Sequence, residues 1–245
     1  MRILYVSDIH ANYPALKAVA ATFTAPFDLI LNGGDTTVYG PFPNETIEWL
    51  RKNQAQSILG NTDRHILTLM SGETFKRPKK AEKRIMYGWT YAELTPENRI
   101  WLRSQPLWRH LNLQVEEHSK SSFCSLGMYH GSPDDPDEFL FANSPECRFR
   151  EITAKYRHRV ITVGHSHSPF YKIVDTVHFI NPGSVGRMFD GKPTASCAVI
   201  TIAEDTIKVK HYRIPYPIGE VIDELKKQRL PAIYQEMYLR GRKLN

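Results

Sequence analysis

Cysteine is scarce and badly spaced for cross-linking. Three residues, Cys124, Cys147 and Cys197, stand far apart in a chain of 245. An odd, scattered set makes no disulfide framework and contains no Cys-x-x-Cys pair for zinc, so a reducing compartment is expected. No apolar run approaches the roughly 18–20 residues of a membrane span, and no membrane partner is expected. The N-terminus passes straight into a strand pattern, without the basic and apolar segments of a signal peptide, which points to the cytoplasm. There is no RRM, zinc-finger or helix-turn-helix signature, no internal repeat, and no composition break that would mark a linker. What remains is ordinary globular composition, 41% hydrophobic and 24% charged, read as a single domain over residues 1–245.

The formal charge is +6, and part of it is clustered. Lys76-Arg77-Pro78-Lys79-Lys80 with Lys83-Arg84 forms one basic segment (76–84). Lys226-Lys227-Gln228-Arg229 and Arg240-Gly241-Arg242-Lys243 form another (226–243). Such segments favour anionic ligands, nucleic acid among them, but a solvated helix face has the same composition. Both readings stand at this point.

Periodicity gives the element order. Arg2 to Val6 is a buried strand, and Tyr13 to Phe23 a helix with Leu16, Val19 and Ala20 on its apolar stripe. Phe27 to Asn32 is a second strand, Asn44 an expected N-cap for the next helix, and Gln56 to Leu59 a third strand before a helix over Arg64 to Met70. Strand–helix alternation of this kind predicts parallel strands with crossover helices. Residues 73–105 read as a helical insert, with Thr95 as N-cap and Pro96 in the first helical position. Leu107 to Val115 and Ser121 to His130 are strand-like around a polar turn at Glu116 to Lys120. A helix lies within Ser144 to Tyr156, before a strand ending at Val163. Tyr171 to Val174, Val177 to Ile180, Ala195 to Ile202 and Thr206 to His211 give four more strands, so a second sheet of mainly later strands is expected. Residues 218–245 form a basic helical tail interrupted at Pro231.

Gly164-His165-Ser166-His167 follows one of those strands. If the chain stays extended there, residues i and i+2 point the same way and both imidazoles face one site. Four other motifs also follow apolar, strand-like runs: Asp8-Ile9-His10, Gly34-Asp35, Gly60-Asn61 and His130-Gly131. Ligands of open α/β sheets bind beyond the carboxyl ends of the strands, so these motifs are expected to converge. The candidate metal ligands are Asp8, His10, Asp35, Asn61, His130, His165 and His167. Seven are too many for one four-coordinate zinc, but they suit two divalent ions about 3.5–4 Å apart sharing one carboxylate. Asp35 is central in the series. Water bridging two dications loses a proton near neutral pH, and the ions offset charge developing on a phosphoryl oxygen.

This ordered set resembles the calcineurin-like metallophosphoesterases, from residue 3 to about 187. The likeness includes Asn181-Pro182-Gly183-Ser184-Val185-Gly186, a stretch found in the small bacterial and archaeal phosphodiesterase branch. The resemblance implies an α/β fold, a four-layer α-β-β-α sandwich of two mixed sheets flanked by helices. It also implies one ion on Asp8, His10, Asp35 and His167, a second on Asp35, Asn61, His130 and His165, and Asp35 as the bridge. Manganese is expected first, with iron, zinc, nickel or cobalt as alternatives. Asp35, Asn61, His130, Thr62 and Asp63 make up the implied catalytic set.

One position departs from the family. Its motif often reads Gly-Asn-His-Asp or -Glu, with the histidine assisting the leaving group; here Thr62 stands in that place. Threonine donates a hydrogen bond but is no acid near neutral pH, so good leaving groups are favoured. His65 is a candidate substitute. Asn12, Asn32 and Arg187, with the amides of Gly183 and Ser184, are candidate phosphate contacts. The expected activity is a phosphodiesterase acting on a phosphate ester or nucleotide. A phosphomonoesterase and a dinucleoside polyphosphate hydrolase are the alternatives. A silent scaffold would have lost ligands, and none is lost here. A homodimer would be the commonest assembly.

Overall fold

In strand β1 (Arg2–Val6) side chains alternate between two covered faces. Ile3 and Tyr5 enter one apolar cluster and Leu4 and Val6 another, all essentially inaccessible. The computed structural model describes residues 1–73, 78–117, 120–203 and 206–245. The turn expected at Glu116 to Lys120 therefore has its centre outside the described residues, as do Lys76 and Arg77 of the first basic segment.

After β1 come α1 (Tyr13–Thr22), β2 (Leu29–Asn32), α2 (Pro43–Lys52), β3 (Gln56–Ser57) and α3 (Asn61–Met70). The expected insert holds α4 (Ala81–Glu93) and α5 (Pro96–Arg103), with Thr95 Oγ1 accepting from Asn98 N as its N-cap. Strands β4 (Trp108–Glu117) and β5 (Lys120–Tyr129) form a hairpin. They are followed by α6 (Glu146–Lys155), β6 (Val160–Thr162), β7 (Phe170–Val174) and β8 (Val177–Asn181). The chain ends with β9 (Ala195–Ile202), β10 (Ile207–Ile214), α7 (Ile218–Lys227) and α8 (Ala232–Arg240).

Two five-stranded mixed sheets result, ordered β10-β9-β1-β2-β3 and β4-β5-β6-β8-β7. The last two strands return to the first sheet, where β9 runs antiparallel to β1. Ile3, Tyr5, Ala198 and Ile200 from one sheet, with Ile58 just past β3, pack on Leu126, Met128, Val160 and Ile180 from the other. The outer face of the first sheet is closed by α1 and α2, and that of the second by Phe149 and Ile152 of α6. This is the expected four-layer sandwich. The insert and the tail meet beside it: Met86 and Tyr87 of α4 share a cluster with Val221 and Leu225 of α7 and Tyr234, Met237 and Tyr238 of α8.

Asn44 is not the cap of α2. Pro43, whose fixed φ suits a first turn, starts the helix and leaves Asn44 inside it. Its side chain instead binds the α4–α5 junction, donating to Glu93 O (2.9 Å) and accepting from Thr95 N (3.0 Å).

Candidate metal centre

The parallel strands β1, β2, β3 and β5, β6, β8 bring six carboxyl ends to one edge of the sandwich. Tyr5 joins the sheets there, its hydroxyl donating to Val163 O at 2.8 Å, immediately before Gly164. Backbone bonds join neighbouring loops: Asp8 N to Gly34 O (2.9 Å), His10 N to Asp35 O (2.9 Å) and Gly164 N to His130 O (2.7 Å). Asn181 Nδ2 donates to Gly164 O (2.8 Å), and Ser184 Oγ to Asp8 O (2.7 Å), so the Asn181–Gly186 stretch clamps two of these loops. Gly60 and Gly164 lie where any Cβ would collide with the Asp35 carboxylate and with Ser7 and Asp8.

Two ligand groups form at this edge, Asp8–His10–His167 and Asp35–His130–His165, each with its donor atoms within 4.8 Å of one another. In the first, His10 Nε2 and His167 Nε2 are 3.2 Å apart. Asp8 Oδ1 lies 3.2 Å from His167 Nε2 and, although buried, makes no hydrogen bond. In the second, Asn61 Oδ1 faces only acceptors, with His165 Nδ1 at 2.9 Å and His130 Nε2 at 3.2 Å. Asp35 spans the two, Oδ2 at 3.7 Å from His10 Nε2 and Oδ1 at 3.5 Å from His130 Nε2. Buried carboxylate, amide and imidazole groups converging on two points, with Asp8 Oδ1 left without a partner, fit divalent cations, and the mixed oxygen and nitrogen set fits a transition metal.

The imidazoles are held in set orientations by backbone carbonyls. Nδ1 of His130 lies 2.8 Å from Gly33 O, Nδ1 of His167 2.5 Å from Arg187 O, and Nδ1 of His10 3.4 Å from Thr37 O. A proton on each Nδ1 turns the Nε2 lone pair to the site. Burial, with neighbouring His167 and Arg187, holds His10 well below the usual histidine range. Burial and His130 bring His165 down to about 4. Burial, with the nearby Asp8 carboxylate, pushes Asp35 up to about 6. Asp8 lies below the usual carboxylate range despite burial, which opposes the shift, because His167 faces it.

The backbone is strained where the ligands sit. Asp8, His10, Asp35, His165 and His167 all have left-handed φ, between 50° and 61°. Residues with a Cβ adopt that region at a cost, and it clusters at functional sites. It also corrects the extended reading of His165-Ser166-His167. Because the chain turns at both histidines, the rings reach two adjacent groups rather than one.

Thr62 N and Thr62 Oγ1 both donate to Asp35 Oδ1, at 2.8 and 2.9 Å. Asp63 is fully buried and accepts from Thr36 N, Thr37 N, Thr37 Oγ1 and Gly60 N. Its carboxylate ties the loop after β2 to the start of α3, behind the cavity.

The cavity over the ligands measures about 310 Å³. Tyr39, Phe139, Phe141 and Phe189 supply its aromatic wall, and Lys83, Arg187 and Lys243 its cations. Phe139 stacks on His165 (centroids 4.1 Å) and Phe189 on His167 (4.5 Å). Of the candidate phosphate contacts, Arg187 lines the cavity and the others do not. Asn12 caps α1, accepting from Ala15 N and donating to Gly186 O. Asn32 donates to Thr36 Oγ1 and Ser57 Oγ. The Gly183 amide is used by Asn181 Oδ1 and that of Ser184 by Met188 Sδ. His65 is also outside the cavity, edge-on to Tyr87. Sequence reasoning missed the aromatic wall, Lys83 and Lys243. The two lysines lay in basic segments whose composition equally fits a solvated face, and Phe139-x-Phe141 has no periodic context.

A family model described as the calcineurin-like phosphoesterase superfamily domain matches residues 1–205. The chain is 31% identical to an uncharacterized protein of Methanocaldococcus jannaschii over 98% of both. It is 29% identical to the symmetrical bis(5'-nucleosyl)-tetraphosphatase of Klebsiella pneumoniae, over 52% of this chain and 44% of that protein. Among solved structures, a metallophosphoesterase from Sphaerobacter thermophilus superposes with TM-score 0.76 and 26% identity, covering 98% of this chain and 99% of that one. A hypothetical protein from Pyrococcus horikoshii shares the fold at TM-score 0.83 and 19% identity over 99% of both.

Proposed function

The chain belongs to the calcineurin-like phosphoesterase superfamily, and on that premise we propose that it is a phosphodiesterase working with two divalent ions. The proposal assigns Asp8, His10, Asp35 and His167 to one ion and Asp35, Asn61, His130 and His165 to the other, with manganese first. The observation that carries it is Asp35, which lies between two histidine clusters with one carboxylate oxygen toward each. When bound, such a pair activates water and offsets charge on a phosphoryl oxygen. The unit is taken as residues 1–245, because insert and tail share one apolar cluster and both line the cavity.

The diester preference rests on Thr62. Its hydroxyl is turned to Asp35, so it positions the carboxylate and offers no acid to the leaving group. The aromatic wall admits an ester substituent on the side of His165, where Phe139 is 52% exposed. Protein stripped of metal and reloaded with Mn²⁺ is expected to hydrolyse bis-p-nitrophenyl phosphate faster than p-nitrophenyl phosphate. The two share a leaving group, so the comparison isolates the second substituent. A monoester preference overturns the reading.

A further inference from the structure

Each sheet ends in two edge strands, and three of the four edges are guarded. Strand β3 is two residues long. Strand β7 has five residues, carries Lys172 and follows Pro169. Strand β10 carries Lys208, Lys210 and Arg213. Short length, lysine and proline are the devices by which edge strands avoid pairing with another chain. Strand β4 has none of them. Its ten residues, Trp108–Glu117, include no lysine, proline or glycine, and it lies at the end of its sheet.

In an antiparallel pair, alternate residues turn their backbone groups to the partner strand and the others turn theirs away. Half the N–H and C=O groups of β4 therefore face outward, along a line of about 34 Å. From Trp108 to Leu113, no backbone hydrogen bond runs to any element but β5 among the described residues. The outer face beside this edge is exposed as well. Phe149 and Ile152 of α6 pack on β6, β7 and β8, whereas Trp108 on β4 and Phe123 on β5 are 54% and 69% exposed. The inner face is apolar, with Leu113 and Val115 in the core between the sheets and Leu111 packed against it.

The strand is complementary to itself. Arg109 and His110 stand near its start, and Glu116 and Glu117 end it. Antiparallel self-pairing brings basic start to acidic end, while parallel pairing would bring like ends together. Residues opposite one another share a face, so inward positions must meet inward positions. A two-fold axis at Leu113 satisfies this. It sets Leu111 opposite Val115 of the second copy, Asn112 opposite Gln114, His110 opposite Glu116 and Arg109 opposite Glu117. An axis at Asn112 also matches the faces, but it sets Arg109 opposite Val115 and loses the charge match.

We propose that β4 is the interface of a two-fold dimer, pairing antiparallel with β4 of a second copy about Leu113 and joining two five-stranded sheets into one of ten. The apolar row Leu111, Leu113 and Val115 then continues from one copy into the other, as an isologous interface requires. Equivalent strands of the two copies run in opposite directions. The two candidate metal centres therefore lie at opposite ends of the joined sheet, each complete within its own chain.

Sedimentation of the full chain is expected to give twice the chain mass, and a monomer up to the highest soluble concentration overturns the proposal. Glu116→Lys/Glu117→Lys sets like charge against Arg109 and removes the acid opposite His110. It is expected to raise the dimer dissociation constant at least about tenfold, an effect that added salt reduces. Its circular dichroism should match the wild type, since both positions lie at the end of an edge strand. A dimer unmoved by the substitution overturns β4 as the seam. Hydrogen exchange in the wild-type dimer tests the pairing without any variant. Successive amides over Trp108–Val115 are expected to be protected, where an unpaired edge would exchange every second one quickly. Fast exchange at alternate positions in the dimer overturns the strand pairing.

Discussion

Thr62 grips Asp35 twice, from its amide nitrogen at 2.8 Å and from its hydroxyl at 2.9 Å, both on Oδ1. The amide bond survives any side-chain change; the hydroxyl bond does not. Thr62→Val is expected to lower Mn²⁺ affinity and turnover by about 10–100-fold, the usual effect of losing a bond that orients a metal ligand. Thr62→Ser keeps the hydroxyl and is expected to stay within a few-fold of wild type. Metal titration alongside rates checks this. Equal behaviour of the valine and serine variants would show that the amide suffices.

Asp35 lies between the two histidine clusters, Oδ2 3.7 Å from His10 Nε2 and Oδ1 3.5 Å from His130 Nε2. Asp35→Asn is expected to cut turnover by at least about a hundredfold and to reduce bound metal, since even outer partners of metal ligands contribute at that scale. Elemental analysis of the purified variant with its rate constant checks both. Full activity would remove Asp35 from the site.

Phe139 presents an exposed ring face at the cavity mouth, stacked on His165. Stacking of a base on an aromatic side chain is worth about 1–3 kcal/mol. Phe139→Ala is therefore expected to raise KM for thymidine 5′-p-nitrophenyl phosphate by about tenfold or more relative to methyl p-nitrophenyl phosphate. Phe139→Tyr should preserve the ratio. If alanine leaves the KM ratio of the two esters unchanged, no base rests on that ring.

Arg148 ties down the loop between His130 and Phe139. It donates to Glu138 Oε1 (2.8 Å) and Oε2 (2.7 Å) and to Asp134 Oδ2 (3.0 Å). Lys155, then Tyr156 and Arg148, hold the Asp134 carboxyl down at about 2, and Arg148 holds Glu138 below its ordinary value. Depressed carboxylates stabilise the fold above their unfolded pKa, and that contribution is lost as pH falls through the folded value. Arg148→Met is expected to lower Tm at pH 7, by about 2–4 °C for each kcal/mol removed. The gap to wild type should close between about pH 4 and pH 2. Calorimetry across that range reads it directly, and a gap independent of pH would assign the loss to packing.

Much of the site could be read along the chain, because each ligand follows a strand and strands announce themselves by apolar runs. Asp8, His10, Asp35, Asn61, His130, His165 and His167 were nameable as candidate ligands for that reason, and so was Thr62 as a departure. Which ligands group together was a different matter. It depends on left-handed turns at Asp8, His10, Asp35, His165 and His167, and propensity assigns those conformations to glycine. Asn12 and Asn32 stood beside motif residues, yet their amide nitrogens went to loop hydrogen bonds, with Gly186 O and with Thr36 Oγ1.

The local pattern by itself determined the strand–helix order, the inventory of candidate ligands and the absence of an acid at Thr62, all of which need only residue identity and short-range periodicity. Tertiary structure decided the rest. It sent β9 and β10 back to β1, joined α4 to the tail helices, and so brought Lys83 and Lys243, 160 positions apart, to the wall beside Arg187. Long-range association of that kind is set by which apolar faces remain to be buried once each element has formed, and no short window of the chain contains both partners.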